Sequence, residues 1–450
     1  MKEKRIFKRK IYDRIMEWKN TEAGRTALLV QGARRVGKST VVEEFAKHEY
    51  ETYILIDFSR VGENVYALFD NMWDLNFFFL RIQQEFNVLL KPRKSVIIFD
   101  EVQFCPKARQ AIKHLVADGR YDYIETGSLI SIRKNTKNIL IPSEEQRVNM
   151  FPMDYEEFLW AIGKGESYKL LMSEKKSWFS FDESFNRTLM RDFRLYMLVG
   201  GMPQAVVAYL DTNNMTEVDK VKRNILKLYI DDFEKIDPSG TLSAVFKSLP
   251  GELTKGKLRF EPGSVLSDVP KGFEALLHEM EESMTVNICY RCSDPNVRMG
   301  LHRDTGSYKL YLADTGLFIT LAFWDADVAD NVIYGKILAD KLSVDLGYVF
   351  ENIAAQIIRA AGYALYYYTW AQREDLKKHY EVDFLLPLRD KLIPVEIKSS
   401  GYRTHRSLDV FCEKYSQRVL YPLMVYTKAP YRDGSLRMLP FYLFPLEIQR

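Results

Sequence analysis

The sequence predicts an α/β protein of about three domains, the first of which is built on a parallel β-sheet. Its 450 residues correspond to roughly three domains of about 150 residues each. Hydrophobic residues make up 47% of the chain and aromatic residues 13%, which is enough to build cores and excludes a disordered or fibrous protein. Across residues 1–150, short apolar runs alternate with helical patterns, as is typical of parallel strands joined by crossover helices.

Five strands and three helices are predicted in this first part. The predicted strands are Thr26–Gln31, Thr52–Phe58, Ser95–Asp100, Tyr121–Thr126 and Arg147–Phe151. The predicted helices are Thr40–His48, Leu75–Leu90 and Lys107–Asp118.

A glycine-rich segment follows the first strand and opens the first of these helices. It fits the phosphate-loop pattern Gly-x-x-x-x-Gly-Lys-Ser, in which backbone N–H groups surround phosphates and the helix N-terminus favours an anion. Lys38 is expected to bind the β and γ phosphates of ATP, and the Ser39 hydroxyl to ligate Mg²⁺. The predicted nucleotide-binding residues of the loop are Gly32, Ala33, Arg34, Arg35, Val36, Gly37, Lys38, Ser39 and Thr40. The alternative is a glycine-rich turn without a ligand.

Two acids end the apolar strand Ser95–Asp100, where the carboxyl edge of a parallel sheet brings polar groups together. Asp100 is expected to hold Mg²⁺ through water, and Glu101 to polarise the attacking water. The alternative is a solvated acidic turn. The strand Thr52–Phe58 lies between the two motif strands, and this order resembles the ATPases with an additional strand and a catalytic glutamate, to which AAA proteins belong.

The next strand ends in hydroxyl residues. By resemblance, Ser128 or Thr126 occupies the sensor position and orders the water beside the γ-phosphate, although Ser128 is equally suited to cap a helix. Arg133 and Arg147 are the candidates for a charge-neutralising arginine, against a surface or structural role.

The middle of the chain is mostly helical. Residues 155–235 are interpreted as a lid and a connecting helical segment. In residues 241–312, short helices are followed by two strands, Thr285–Arg291 and Tyr308–Ala313, which suggests a winged helix-turn-helix. Because its second helical segment, Gly272–Ser283, is acidic, packing or a protein partner is favoured over DNA for this unit. Cys289 and Cys292 have the spacing of a zinc ligand pair without a matching second pair, so ordinary strand residues are favoured.

The chain resembles a family of prokaryotic AAA-type P-loop ATPases whose C-terminal domain, of uncharacterised function, contains a restriction-endonuclease-like core. The resemblance covers nearly the whole chain. Its matching segments are Gly32–Ser39, Asp100–Gln103, Thr126–Ser128, Phe151–Phe158, Gly200–Pro203, Asp314–Leu317, Phe350–Glu351, Glu381–Phe384 and Val395–Lys398.

The C-terminal order of a helix, three strands, a helix and a strand resembles the PD-(D/E)xK nuclease core. In that interpretation Asp383 and Glu396 chelate a second Mg²⁺ or Mn²⁺, Glu351 assists the metal, and Lys398 positions or activates the attacking water. Strand alternation places Glu396 and Lys398 on one face, and likewise Glu381 and Asp383. The alternative is an edge or interface of solvated charges, and such cores can also bind DNA without metal chemistry.

The predicted domains are an AAA-type ATPase domain with its lid (1–210), a helical and winged-helix-like region (211–325) and a nuclease-like domain (326–450). The net charge is +3, with +8 in residues 1–40 and −5 in the rest, so charge alone does not indicate a nucleic-acid partner. Four cysteines and a charged N-terminus favour the cytoplasm and no membrane partner.

The predicted function is an ATP-hydrolysing protein coupled to a metal-dependent nuclease-like domain that binds or cleaves DNA. The alternative is a nucleotide-dependent regulatory switch whose C-terminal domain binds a protein partner. The sequence leaves the oligomeric state open.

Overall fold

The computed structural model describes residues 5–70, 72–127, 143–175, 182–324, 335, 337–338, 347–372 and 374–449. It divides into two compact units, one of residues 1–151 with 282–284, the other of residues 152–281 and 285–450.

A five-stranded parallel sheet forms the centre of the first unit. Its strands are β1 (Ala27–Gln31), β2 (Thr52–Asp57), β3 (Ser95–Asp100), β4 (Asp122–Gly127) and β5 (Glu145–Asn149), in the order β2-β3-β4-β1-β5. Its helices are α1 (Ile11–Thr21), α2 (Lys38–Glu49), α3 (Glu63–Leu68), α4 (Leu75–Phe86) and α5 (Pro106–Asp118). The parallel sheet is as predicted, and β1, β3 and β4 are buried along their whole length because helices cover such sheets on both faces.

The sheet order places the two motif strands on either side of β4. The strand Thr52–Asp57, which lies between them in the chain, is at the edge of the sheet. Gln31, Asp100 and Gly127 therefore end three neighbouring strands, so the segments that follow start from one edge.

Helices dominate the first part of the second unit. They are α6 (Tyr155–Ala161), α7 (Gly165–Glu174), α8 (Glu183–Val199), α9 (Pro203–Thr212), α10 (Met215–Ile236), α11 (Thr241–Thr254) and α12 (Phe273–Glu282). Helix α6 begins with a capping box, in which Asp154 accepts from the Glu157 amide at 2.9 Å and the Glu157 carboxylate accepts from the Asp154 amide at 3.1 Å. This pair accounts for two of the three acids of the 151–158 motif.

The other two internal motifs meet in one buried joint. The Asp314 carboxylate accepts hydrogen bonds from the amides of Leu317 (2.8 Å) and Gly201 (2.6 Å). Lys222 donates to the carbonyl oxygens of Leu198 (2.7 Å) and Gly316 (3.2 Å). The segments 200–203 and 314–317 therefore fasten helices α8, α10 and α13 (Thr315–Ala322) together.

Two further sheets complete this unit. The first has the order β7-β6-β8-β9 and the second the order β10-β11-β12-β14-β13. The strands are β6 (Val286–Cys292), β7 (Arg303–Leu312), β8 (Leu365–Ala371), β9 (His379–Val382), β10 (Phe384–Leu388), β11 (Lys391–Ile397), β12 (Leu423–Tyr426), β13 (Tyr431–Asp433) and β14 (Leu436–Pro440). The accompanying helices are α14 (Gly347–Ala360), α15 (Arg406–Lys414) and α16 (Phe444–Ile448).

The predicted hairpin exists, but it is not a separate wing. Strands β6 and β7 pair antiparallel, and β6 also pairs in parallel with β8, at Cys289–Leu365 and Arg291–Tyr367. Most of β6 is buried, as expected of a strand with a neighbour on both sides rather than of a solvated wing. One sheet therefore contains strands from both sides of the predicted boundary at 325–326.

Candidate functional site

The phosphate loop connects the end of β1 to the start of α2. The backbone is left-handed at Arg35 (φ 72°) and at Gly37 (φ 103°), and α2 begins at Lys38. Among the residues that the structure describes, no side chain caps this helix start, which fits a loop motif whose first amide groups bind an anion.

The Lys38 ammonium group is folded back onto its own loop. Its Nζ donates to the carbonyl oxygens of Gly32 at 2.9 Å and Ala33 at 3.0 Å. Burial lowers the pKa of Lys38, while the carboxylates of Glu101 and Asp100 act in the opposite direction. The Lys38 ammonium group is therefore held against its own loop by hydrogen bonds and lies near two carboxylates.

Asp100 connects the loop to the neighbouring strand. Its Oδ1 accepts from the Ser39 hydroxyl at 2.8 Å and also from the Thr126 hydroxyl. Burial raises the pKa of Asp100, and these two hydrogen bonds act against that shift. The hydroxyl and carboxylate oxygens predicted to hold Mg²⁺ are thus adjacent, and both are oxygen donors of the kind that Mg²⁺ prefers.

Glu101 is held in a restricted backbone conformation directly after Asp100. Its φ is 54°, which is uncommon for a residue with a side chain and is found mainly at turns and functional sites. Its amide donates to the Thr126 hydroxyl at 3.3 Å, and its carboxylate accepts from the Gln103 side chain. Thr126 therefore contacts both acids, which fits the sensor position predicted for Thr126 or Ser128.

Arg9 is a site residue that the sequence did not single out. Its guanidinium group donates to the carbonyl oxygen of Val36 at 2.8 Å, within the phosphate loop, and to that of Phe151 at 2.7 Å. A basic residue in a basic N-terminal segment carries no local signal for this role, because the contact depends on segments that are distant in the chain.

The remaining predicted nucleotide-site residues have different surroundings. Ala33 and Val36 are buried, Arg34 and Arg35 are exposed, and Thr40 is partly buried in α2. Arg147 donates to Glu145 at 2.8 Å. Ser128 and Arg133 lie outside the described residues.

In the second unit, acidic side chains meet two lysines. The Lys309 ammonium group, from β7, lies 2.5 Å from a Glu381 oxygen and 3.8 Å from a Glu351 oxygen. The Tyr311 hydroxyl donates to Glu351 at 3.2 Å. Lys309 was missed because a single lysine in an apolar strand has no motif, although its position between Tyr308 and Leu310 is a signal for a buried charge.

The predicted Glu396–Lys398 pair is in contact, with Lys398 Nζ 2.7 Å from Glu396 Oε1, although β11 ends at Ile397 and Lys398 directly follows it. Asp383, at the junction of β9 and β10, accepts from the Ile397 amide at 2.7 Å. Burial raises the pKa of Asp383 well above its ordinary value, and the neighbouring carboxylates of Glu351 and Glu396 raise it further. Asp383 and Glu396 therefore share one electrostatic environment.

This cluster has fewer side-chain ligands in place than a complete metal site. Among the described residues, no group of three or more His, Cys, Asp and Glu side chains is arranged to hold a metal ion. Glu396 Oε2 is buried and accepts no hydrogen bond from any of the described residues. Two carboxylates and water are enough for Mg²⁺, which keeps several of its waters, so the donor chemistry of Asp383 and Glu396 suits such an ion.

Comparison with known protein families assigns the first unit. Residues 24–159 match the family model of an AAA domain. The N-terminal domain is an AAA-type P-loop domain. Residues 190–328 and 346–442 match two families described as domains of unknown function, DUF8612 and DUF4143. The AAA domain thus contains the whole Lys38–Asp100–Thr126 arrangement, and the acid–lysine cluster takes residues from both of the other regions.

Solved structures also resemble this chain at low identity. A Walker-type ATPase of Pyrococcus abyssi is 17% identical, with a TM-score of 0.42, over 70% of this chain and 96% of that protein. The ORC1 protein of Aeropyrum pernix, solved in complex with DNA, is 12% identical, with a TM-score of 0.27, over 75% of this chain and 93% of that protein. No curated protein matches the chain. In the described residues, no helix combines the length and apolar character needed to cross a membrane.

Proposed function

We propose that the AAA domain binds and hydrolyses ATP with Mg²⁺ and that this cycle controls a nuclease-like C-terminal core that binds or cleaves DNA. The observation that carries the first part is the chain of contacts from Ser39 through Asp100 to Thr126, beside Glu101. It gathers a metal-ligand pair, a candidate base and a hydroxyl at the mouth of the phosphate loop.

Each residue of this site has a role that its contacts support. Lys38 exchanges its bonds to the Gly32 and Ala33 carbonyl oxygens for phosphate oxygens when ATP enters. Bound Mg²⁺ would supply charge neutralisation at the β and γ phosphates, held by Ser39 and, through water, by Asp100. Glu101 accepts the proton of the attacking water, as a general base does.

The ATPase assignment is tested by phosphate release from the full chain. Lys38→Ala is expected to abolish release, and Glu101→Gln to abolish release while ATP still binds. Lys47→Ala is the matched control, since Lys47 is on the same helix and pairs with Glu43 and Glu44 at the surface. Phosphate release by Lys38→Ala at the rate of the Lys47→Ala control would contradict the assignment.

The nuclease part of the proposal rests on Asp383, Glu396 and Lys398. It is tested with plasmid and single-stranded DNA, with Mg²⁺ or Mn²⁺, and with or without ATP. Lys398→Ala is expected to lose cleavage that Lys391→Ala retains, because Lys391, at the opposite end of the strand that Lys398 follows, donates to the Gln417 carbonyl oxygen. Equal behaviour of the wild type and Lys398→Ala would end the assignment.

The regulatory switch remains the second candidate, and one observation favours it. Lysines already pair with Glu381 and Glu396, so two of the four acids have a counter-ion without any metal. In that case DNA stays intact under every condition above, and the C-terminal domain binds a protein partner in an ATP-dependent way. The cytoplasmic location, the DNA partner and a domain boundary at 210 belong to the first candidate as proposals, whereas the boundary at 325 is not proposed because one sheet crosses it.

A further inference from the structure

Lys309 lies in the acid–lysine cluster of the second unit, although it comes from a strand that precedes the predicted nuclease-like domain. Its side chain is only 8% exposed, and its ammonium group contacts Glu381 much more closely (2.5 Å) than Glu351 (3.8 Å). The ring of Tyr367 lies 5.5 Å from the same ammonium group. A charge buried to this degree is stable only with a partner of opposite sign.

The charges of the cluster can be divided by these contacts. Its acids are Glu351, Glu381, Asp383 and Glu396, and its bases are Lys309 and Lys398. If Lys309 and Glu381 neutralise each other, three carboxyl groups and one ammonium group remain, and with all of them ionised, as a bound cation favours, their net charge is −2. One divalent cation balances that charge.

We propose that Glu381 is the counter-ion of Lys309 rather than a metal ligand, and that Lys309 is a positioning residue of the proposed C-terminal cation site. This inference rests on the proposed function, because it concerns the same site. Glu381 is held by Lys309, and Glu351 is oriented by the Tyr311 hydroxyl two residues further along β7. Asp383 and Glu396 are left to face the divalent cation.

The proposal predicts an unusual pattern of variant effects. Glu381→Gln leaves the Lys309 ammonium group without its counter-ion, so it turns to the remaining acids and repels a divalent cation. Affinity for Mn²⁺ then falls by about tenfold or more, the effect of one uncompensated charge at close range. The double variant Lys309→Met/Glu381→Gln removes both charges and restores the affinity to within about threefold of wild type.

The experiment measures Mn²⁺ binding to the full chain without nucleotide, by electron paramagnetic resonance of free Mn²⁺. An Asp100→Asn background removes the carboxylate that is proposed to hold the metal in the AAA site, so that Mn²⁺ binding reports on the C-terminal cluster. Lys391→Met is the control for the loss of one lysine. The proposal expects one bound Mn²⁺ in this background, weak binding in Glu381→Gln and restored binding in the double variant.

Two other outcomes would overturn the inference. A double variant as weak as Glu381→Gln makes Glu381 a ligand and overturns the inference, while the proposed metal site stands. No binding in the Asp100→Asn background refutes the metal site and the inference with it.

A second double variant, Lys309→Met/Glu381→Met, guards against a folding defect. If neither double variant folds, the inference also fails, because a counter-ion pair can be replaced by apolar side chains of similar volume without loss of the fold.

Discussion

Gly316 tests whether the joint between segments 200–203 and 314–317 is as closely packed as its contacts indicate. A Cβ atom at Gly316 would lie 2.5 Å from Gly200 Cα, 2.6 Å from Gly200 N and 2.8 Å from Val199 C. These neighbours are backbone atoms, which no side-chain rotation can move aside. The variant Gly316→Ala must therefore displace the backbone that Asp314 and Lys222 fasten.

Two opposing effects set the expected magnitude. Alanine is favoured over glycine in a helix by about 1 kcal/mol. Forcing an extra methyl group into a packed site costs about 1–3 kcal/mol, and the upper end applies where only backbone can yield. The net expectation for Gly316→Ala is a loss of about 2 kcal/mol in the free energy of unfolding. At roughly 2–4 °C per kcal/mol, the melting temperature should fall by about 4–8 °C.

Gly251 is the matched control, because it also lies in a helix but, beyond its chain neighbours and its own helix backbone, no heavy atom of the described residues lies within 4 Å of the position of its Cβ. Gly251→Ala is expected to stabilise the protein by up to about 1 kcal/mol. Thermal unfolding followed by circular dichroism compares the two variants with the wild type. If Gly316→Ala melts at or above the temperature of Gly251→Ala, the account of the joint is refuted.

Three further outcomes are expected. Arg9→Lys keeps the charge but loses the planar guanidinium group, whose Nη1 and Nη2 each reach a separate carbonyl oxygen, so a fluorescent ATP analogue should bind about tenfold more weakly, and unchanged affinity would separate Arg9 from the loop. Burial lowers the pKa of Lys222 to about 8. Between about pH 8 and the ordinary pKa of a lysine, Lys222 therefore binds fewer protons in the folded state than in the unfolded state. In that range the free energy of unfolding rises with pH. Between pH 7 and 9.5, urea titrations should show wild type gaining about 2 kcal/mol relative to Lys222→Met, and parallel curves would contradict this. Burial and Glu145 raise the pKa of Glu125, so the folded state holds the extra proton and wild type loses stability as pH rises above about 4.5. Glu125→Gln should remove that loss, and an identical pH dependence in both proteins would contradict it.

The motifs of the proposed nucleotide site could be recognised in the sequence because their signals are local. The glycine spacing fixes the loop, and the acids Asp100 and Glu101 follow an apolar run whose burial on both faces is apparent from composition alone. Strand Ser95–Asp100 has its predicted bounds, and the other four strands of the first sheet differ from the prediction by at most two residues at either end.

The contacts that the sequence missed all join distant segments. Arg9 reaches Phe151 across 142 positions, and Lys309 reaches Glu381 across 72. A lysine inside an apolar strand indicates a buried charge, but only the fold supplies the partner. The wing was predicted because a hairpin after short helices has the same local pattern whether or not a third strand pairs with it.

The parallel pairing of β6 with β8 decides where this chain can be cut. A fragment starting at residue 326 would keep β8 but lose β6, its neighbour on one side, and would leave a row of unpaired N–H and C=O groups along an apolar strand. Such an edge recruits other copies of itself into aggregates. A fragment starting before Val286 would retain the whole four-stranded sheet and Lys309, so proteolytic or genetic dissection of the second unit should begin there.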